Sequence, residues 1–524
     1  MKSYLAKLLH QLKSNLPLLV IISIALIIAF QNIEPNTYYS GWDNTHAEFD
    51  LGRYAKQVFF GSWLEHQGLG APAALAHLSE ISRLPIIWLF KTLLPDNLVR
   101  YTYIFSTYLI GGIGVYLYLS KHWLQNKSIS LKKWLASLGG VLYLLHVVTL
   151  QHFYISFEVF MAKFAFFPFL LLIIQRLHKQ FNIKNILIFI LVQLLIAPSG
   201  HTSAIFYLGV LFSLLYSFFL KLDKAQVWAA FRFSFLIGLI TLLVNFYWIL
   251  PNLYYGLHNS SYVQESHENQ VFGPESLWSI KEAGNISNFL RGTHYLFTWK
   301  DYSFTDSQHE LIFNEWLPHL QQPLTLSIMY ALGTITILGL LLTIIDRKQG
   351  LKRWGVIIFY LFSIAFVWIE LLPTEVLINK LFQSESFLEV FRNPFTKFSI
   401  LYSFVSVLLF VKTIEVTVGL IKNKFLIISF LTILNLSIAY QAWPSFQGHF
   451  ISEKLRIEYP TQYWDMFEYL QAKDEDLRIL QLPQRSHAGW EYYDWSFLKP
   501  GNGYQGMGFY FFGFSFNLLY FFFI

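Results

Sequence analysis

About eleven stretches of almost unbroken apolar residues, most of them close to the roughly 20 that carry a helix across hydrocarbon, leave this chain one kind of fold. They run approximately over 16–30, 101–119, 134–150, 157–174, 186–197, 204–220, 233–250, 324–345, 355–372, 398–411 and 425–440. In lipid a segment must satisfy its own backbone amides, so these stretches read as helices. The fold class is therefore an all-α polytopic membrane protein. A soluble alternative would need polar surface, and only 13% of the residues are charged, against about 25% in ordinary soluble domains. The stretch 84–94 is too short to cross and reads as an interfacial helix. The first stretch lacks a small-residue cleavage site and runs straight into Gln31-Asn32, so it is expected as an uncleaved span rather than a signal peptide.

Lysine and arginine then orient the chain. Lys2, Lys7 and Lys13 precede the first span, and alternate connections carry Lys132 and Lys133, Arg176 and Lys179, Arg347 and Lys348, and Lys422 and Lys424. This places the N-terminus in the cytoplasm of a bacterial cytoplasmic (inner) membrane. The net charge of +6 is thus a topology signal and not a nucleic-acid patch. No Cys is present, which excludes disulfides, thiolate nucleophiles and thiol metal ligands. The long polar connections, about 31–83, 252–322 and 373–394, all fall outside, as does the tail. The expected organisation is a membrane domain over 1–440 with interfacial helices in its outer loops. A small mixed α/β outer segment follows over 441–524. Its Phe-rich end, 510–524, reads as a twelfth span or as a truncated or frame-shifted terminus.

The first outer loop gathers Asp43, His46, Glu48 and Asp50 within eight residues of one another. If that segment is helical, Asp43, His46 and Asp50 share a face. A carboxylate there can act as general base on a sugar hydroxyl, and Asp43, Glu48 and Asp50 are candidate oxygen ligands for a divalent cation. A solvated loop whose acids cap helices explains the same residues. Trp63 can stack on a sugar ring, beside a Gly68-Leu69-Gly70 turn that punctuation between helices explains equally. Lys163 and Glu158 share an apolar stretch, where charge is costly and usually functional, unless the two pair or Lys163 snorkels to an interface. His201 ends a Pro198-Ser199-Gly200 break that reads as a tight hairpin or as the wall of a cavity. Arg392 and Lys397, at the outer mouth of a span, suit a lipid phosphate: a bidentate fork and a point charge. In the tail, 463–470 reads as an amphipathic helix and 478–483 as a buried strand, while 489–495 mixes aromatics and acids as a sugar platform or a small core would.

An acid just after the first span, a large first outer loop and many spans resemble the GT-C superfamily of polyprenyl-phosphate-sugar glycosyltransferases. More narrowly, residues 41–50 with the Gly68-Leu69-Gly70 turn, 244–251 and 391–398 are similar to YfhO-like membrane proteins and the cell-wall α-(1→3)-arabinofuranosyltransferase family. The resemblance implies that Asp43 is the catalytic acid and that Arg392 and Lys397 are the basic positions before a late span. It carries no role for His46, Glu48 or Lys163.

The expected function is transfer of a sugar from a polyprenyl-phosphate carrier to a glycan or glycolipid of the cell envelope, by an inverting route. Asp43 would deprotonate the acceptor while Arg392 and Lys397 hold the leaving phosphate, with or without a divalent cation. The partners are the bilayer, the lipid-linked donor and the acceptor. Two other classes remain. A transporter or flippase of lipid-linked saccharides would show internal repeats and several charges inside spans, and the sequence shows no clear repeat and few such charges. A non-catalytic scaffold of envelope assembly would only bind glycan.

Overall fold

The computed structural model describes residues 2–40, 47–64, 71–72, 77–125, 128–222, 226–259, 283–303, 307–368, 370, 376, 394–472, 492–493, 495 and 504–505. Among these, nine helices are long and apolar enough to cross a membrane. A tenth span forms if Ile129–Leu145 and Val147–Tyr154, bent by 43°, are taken together. The helices in chain order are α1 (Lys2–Asn32), α2 (Leu51–Phe59), α3 (Leu84–Leu93), α4 (Asp96–Tyr118), α5 (Ile129–Leu145) and α6 (Val147–Tyr154). They continue with α7 (Glu158–Lys179), α8 (Ile183–Ile196), α9 (Ser203–Leu222), α10 (Val227–His258) and α11 (Ile286–Arg291). The last are α12 (Pro323–Ile345), α13 (Lys352–Val367), α14 (Pro394–Leu420), α15 (Lys424–Gln441) and α16 (Thr461–Gln471).

Nine of the eleven apolar stretches expected to span fall in helices long enough to cross. The difference from eleven spans has two sources. The stretch over 134–150 breaks at His146, whose own side chain caps the amide of Val148 and starts α6 at a new angle. Of the stretch over 355–372, the described residues up to Val367 lie in a helix of 16 residues, about 24 Å long against a hydrocarbon core of about 30 Å.

Burial sorts the helices into layers. The apolar window of α7 is 83% buried and that of α10 only 28%, so α7 is central and α10 peripheral. α14 joins α7 in the centre, presenting Phe398, Phe404, Leu408 and Val411 to neighbours on every side. Lipid offers no hydrophobic drive for helices to associate, so close packing and hydrogen bonds hold the bundle. Gly140 of α5 therefore lies against Ile21 of α1 and the backbone of Gly112 in α4, where a larger residue would clash.

One end of the bundle is rich in long connections and the other in short ones. At the short end, Lys412 of α14 pairs with Asp346 and Glu415, and Gln349 donates to the carbonyl of Trp123. At the loop-rich end, Asn32 closes α1 and the chain enters a two-residue strand, Tyr38–Tyr39, antiparallel to Arg456–Ile457. This ladder fastens the first outer loop to the segment after α15. Tyr38, Phe49, Tyr459, Tyr463, Trp464 and Trp495 extend it as a cluster of rings, with Tyr463 and Trp495 4.8 Å apart. Trp495 thus serves packing, the core alternative for the aromatic run 489–495. The expected strand at 478–483 lies outside the described residues, while α16 matches the amphipathic helix expected over 463–470.

Candidate functional site

The first outer loop turns back into the bundle through a 3-10 helix, His77–Ser82, which packs on a second 3-10 turn, Ala197–His201. Both turns follow from sequence. Pro198 stops α8 from continuing in α form, and Ser82 donates to the carbonyl of Leu194 at 2.6 Å, tying the two together. Gly61 makes room beneath them, since a side chain there would meet His77 Cβ at 2.8 Å.

This junction buries a chain of charges. Glu158, 2% exposed at the start of α7, accepts from Arg83 through one oxygen and from Arg100 of α4 through the other. Arg100 also donates to the carbonyl of Tyr39 at 2.8 Å. Arg83 reaches back to Glu80 Oε2 at 3.3 Å, and the Tyr54 hydroxyl of α2 donates to that same oxygen at 2.6 Å. Glu80 Oε1 lies 2.7 Å from His201 Nδ1, and the His77 ring stands edge-on to that of His201 with centroids 4.7 Å apart. Burial pushes the Tyr54 phenol well above its usual range, further raised by Glu80, so Tyr54 stays a neutral donor. Burial also opposes ionisation of Glu80, yet His201 and Arg83 hold its carboxyl well below the usual carboxylate range. Two guanidinium groups and two carboxylates therefore sit together as a compensated quartet, an arrangement that isolated buried charges could not sustain.

Lys163 does not join this network. Glu158 is occupied by the two arginines, so a Lys163–Glu158 pair, one of the plain alternatives for these charges, does not form. Five residues further along α7, about 7–8 Å deeper by helical rise, Lys163 is 1% exposed. Its ammonium faces the rings of Phe167 and Phe206 at 5.7 and 5.4 Å. Among the described residues the structure gives it no carboxylate within salt-bridge range.

Other expected site residues take varied places. Asp43, His46 and Arg392 lie outside the described residues. The segment holding the first two is bracketed by Ser40 and Ala47, both buried, and the amide of Ser40 donates to Leu455 at 2.8 Å. Residues 47–49 form a turn rather than a helix, and Asp50 caps α2 by accepting from the amide of Arg53. Its capping role matches the plain alternative for this loop's acids. Glu48 is buried, and its backbone carbonyl accepts from Lys91. Trp63 is 50% exposed beside the ladder Trp63–Leu64 with Ala71–Pro72. Lys397 is half-buried in the first turn of α14. His201 ends a tight 3-10 turn, as one of the two readings for it has it, and is buried there against Glu80.

Sequence reasoning missed His77, Glu80, Arg83, Arg100 and Tyr54. Two signals were available: a charged residue inside the first turns of an apolar helix, Arg100, and a His-x-x-Glu spacing at His77 and Glu80. The expectation of few buried charges is also corrected. Glu48, Glu80, Arg83, Arg100, Glu158, Lys163, Lys412, Glu415 and Arg456 are all buried, most of them near the bundle's two ends.

Neither a family model nor a curated protein sequence matches this chain. Solved structures do. The cryo-EM structure of arabinofuranosyltransferase AftD from Mycobacteria (mutant R1389S, class 2) matches with TM-score 0.53 and 12% identity, covering 90% of this chain and 31% of that one. The archaeal oligosaccharyltransferase AglB from Archaeoglobus fulgidus, in complex with an inhibitory peptide and a dolichol-phosphate, matches with TM-score 0.44 and 11% identity. That match covers 89% of this chain and 59% of the other. The chain spans about a third of the length of AftD. The fold is thus of the GT-C type that the sequence resemblance implied.

Proposed function

We propose that this chain is a membrane glycosyltransferase that moves a sugar from a polyprenyl-phosphate carrier to an envelope glycan or glycolipid. The observation that carries the reading is the buried charge quartet Glu80–Arg83–Glu158–Arg100, set where the first outer loop re-enters a bundle of the same fold as an arabinofuranosyltransferase. The four charges of the quartet gather at the loop-rich end, which favours chemistry at the membrane surface over transport through it. Basic residues concentrate at the short-loop end, so that end is cytoplasmic and the loop-rich end faces out.

In this reading Asp43 deprotonates the acceptor hydroxyl, which attacks the anomeric carbon with inversion as the C–O bond to the lipid phosphate breaks. Arg392 and Lys397 hold the departing phosphate, whose charge is expensive at the edge of a low-dielectric medium. The quartet acts as a rigid footing: Arg100 holds the carbonyl of Tyr39, two residues before the segment that carries Asp43.

The test is transfer from radiolabelled polyprenyl-phosphate sugars to a membrane glycan extract by wild type and Asp43→Ala. Transfer that vanishes in the variant, with membrane insertion unchanged, supports the enzyme and its base. Equal transfer by both removes Asp43 from the mechanism. No transfer by either across a broad donor panel overturns the reading in favour of a flippase or scaffold.

A further inference from the structure

His77, Glu80 and His201 offer a different chemistry from the charge quartet they adjoin. Their ligand atoms all lie within 4.8 Å of one another, and all three side chains are buried. His201 Nδ1 approaches Glu80 Oε1 to 2.7 Å, so the imidazole and the carboxylate already converge inside the buried junction. Two imidazoles and a carboxylate held this close together in a buried junction are placed to converge on a third atom. The hydroxyls of Ser79 and Ser199, buried in the same two turns, have no partner among the described residues. An ion carrying water would supply one.

From these contacts we infer that His77, Glu80 and His201 bind one divalent transition-metal ion, with zinc the best fit. Two imidazoles and one carboxylate make a borderline-soft set that suits zinc over magnesium or calcium, which prefer oxygen alone. Tetrahedral ligands about 2.0–2.2 Å from zinc stand roughly 3.3 Å apart, so the three groups close on an ion with shifts on the order of 1 Å. Glu80 is already oriented for the task. Its Oε2 is taken by Tyr54 and Arg83, at 2.6 and 3.3 Å, which leaves Oε1 turned to the histidines. Such outer contacts fix a ligand's direction and are a usual feature of built metal sites. Three protein ligands leave a fourth position for water or an incoming oxygen. The two carboxylates and two guanidinium groups of the quartet cancel, so the ion would add net positive charge beside them. That charge suits an anionic ligand in the open position.

The test reads metal and not turnover, so its result is independent of the proposed transfer. Detergent-purified wild type is stripped with EDTA, loaded with zinc and passed through gel filtration, and retained zinc is measured by mass spectrometry. The expected result is one equivalent per chain, falling to background in His77→Gln and His201→Gln that elute as the wild type does. Cobalt loading of the wild type gives a second readout free of any variant: the visible absorption of four-coordinate cobalt is expected. Wild type that retains no zinc and gives no such spectrum overturns the inference, as do histidine variants that retain as much zinc as wild type.

Discussion

Gly209 of α9 gives the Lys163 ammonium its place: a methyl group at position 209 would overlap Nζ and press on Cε. The rings of Phe167 and Phe206 close over the same ammonium. Gly209→Ala is therefore expected to lower thermal stability in detergent by about 1–3 kcal/mol, the usual cost of overpacking. The same change made in a Lys163→Ala background should cost much less, because the obstructing group is gone. A double-mutant cycle measures this coupling. Equal costs in the two backgrounds would show that Lys163 swings aside freely.

Glu158 is the hinge of the charge quartet. Glu158→Gln keeps the shape but leaves Arg83 and Arg100 buried with Glu80 alone to balance them. Removing one member of a buried pair typically costs about 3–5 kcal/mol, so the variant should be poorly expressed or unfold well below wild type. Adding Arg100→Met should recover part of the loss, since it removes one of the stranded charges. A double variant no better than the single would mean that Arg100 finds another partner.

Acid should act through Glu80. Its carboxyl is held below the ordinary value of 4.5 in the folded protein, so the folded state binds fewer protons there than the unfolded one. Its stabilising contribution is fully present above pH 4.5 and is lost as pH falls below that value toward the folded one. Melting temperature measured from about pH 6 down to pH 3 should fall more steeply for wild type than for Glu80→Gln. Parallel curves would remove Glu80 from the acid response.

How much of this was legible in the sequence follows the physics of each part. Spans were legible because lipid demands long apolar runs, and nine of the eleven expected stretches fall in helices long enough to cross. The break at His146 was not, since it depends on a side chain capping its own neighbour rather than on hydropathy. Asp50 as a cap and His201 at a tight turn were foreseen as alternatives, because both are local. The partnership of Glu80 with His201, and of Glu158 with Arg83 and Arg100, joins residues far apart in sequence, and only the packing of the 3-10 turns brings them together. An apolar setting marks Lys163 in the sequence, but proximity along the chain does not fix its partners, since Arg83 and Arg100 from other elements occupy Glu158.

Asn32 is the clearest case of a role that no local pattern announces. It ends α1, and its side chain serves both sides of the loop-rich end. The amide group donates to Ile28 and Ser445 at 2.8 and 2.9 Å, while its oxygen accepts from the backbone of Phe450 and Ile451 and from Arg456. Asn32→Ala would strip the Phe450 and Ile451 amides, both buried, of their acceptor, while Arg456 keeps the carbonyls of Gly448 and Ile451. Each buried donor left unsatisfied costs about 1–3 kcal/mol, more for a charged one. The expected outcome is a loss of several kcal/mol, with the strand Arg456–Ile457 released from Tyr38–Tyr39 before the bundle melts. Limited proteolysis should then cut the variant near residues 450–457 at temperatures where wild type is resistant. Asn32→Asp keeps the acceptor for Phe450 and Arg456 but loses the donor to Ser445, so it should resist cleavage better than the alanine variant. Identical protection of all three proteins would show that the β ladder and the ring cluster hold this end without Asn32.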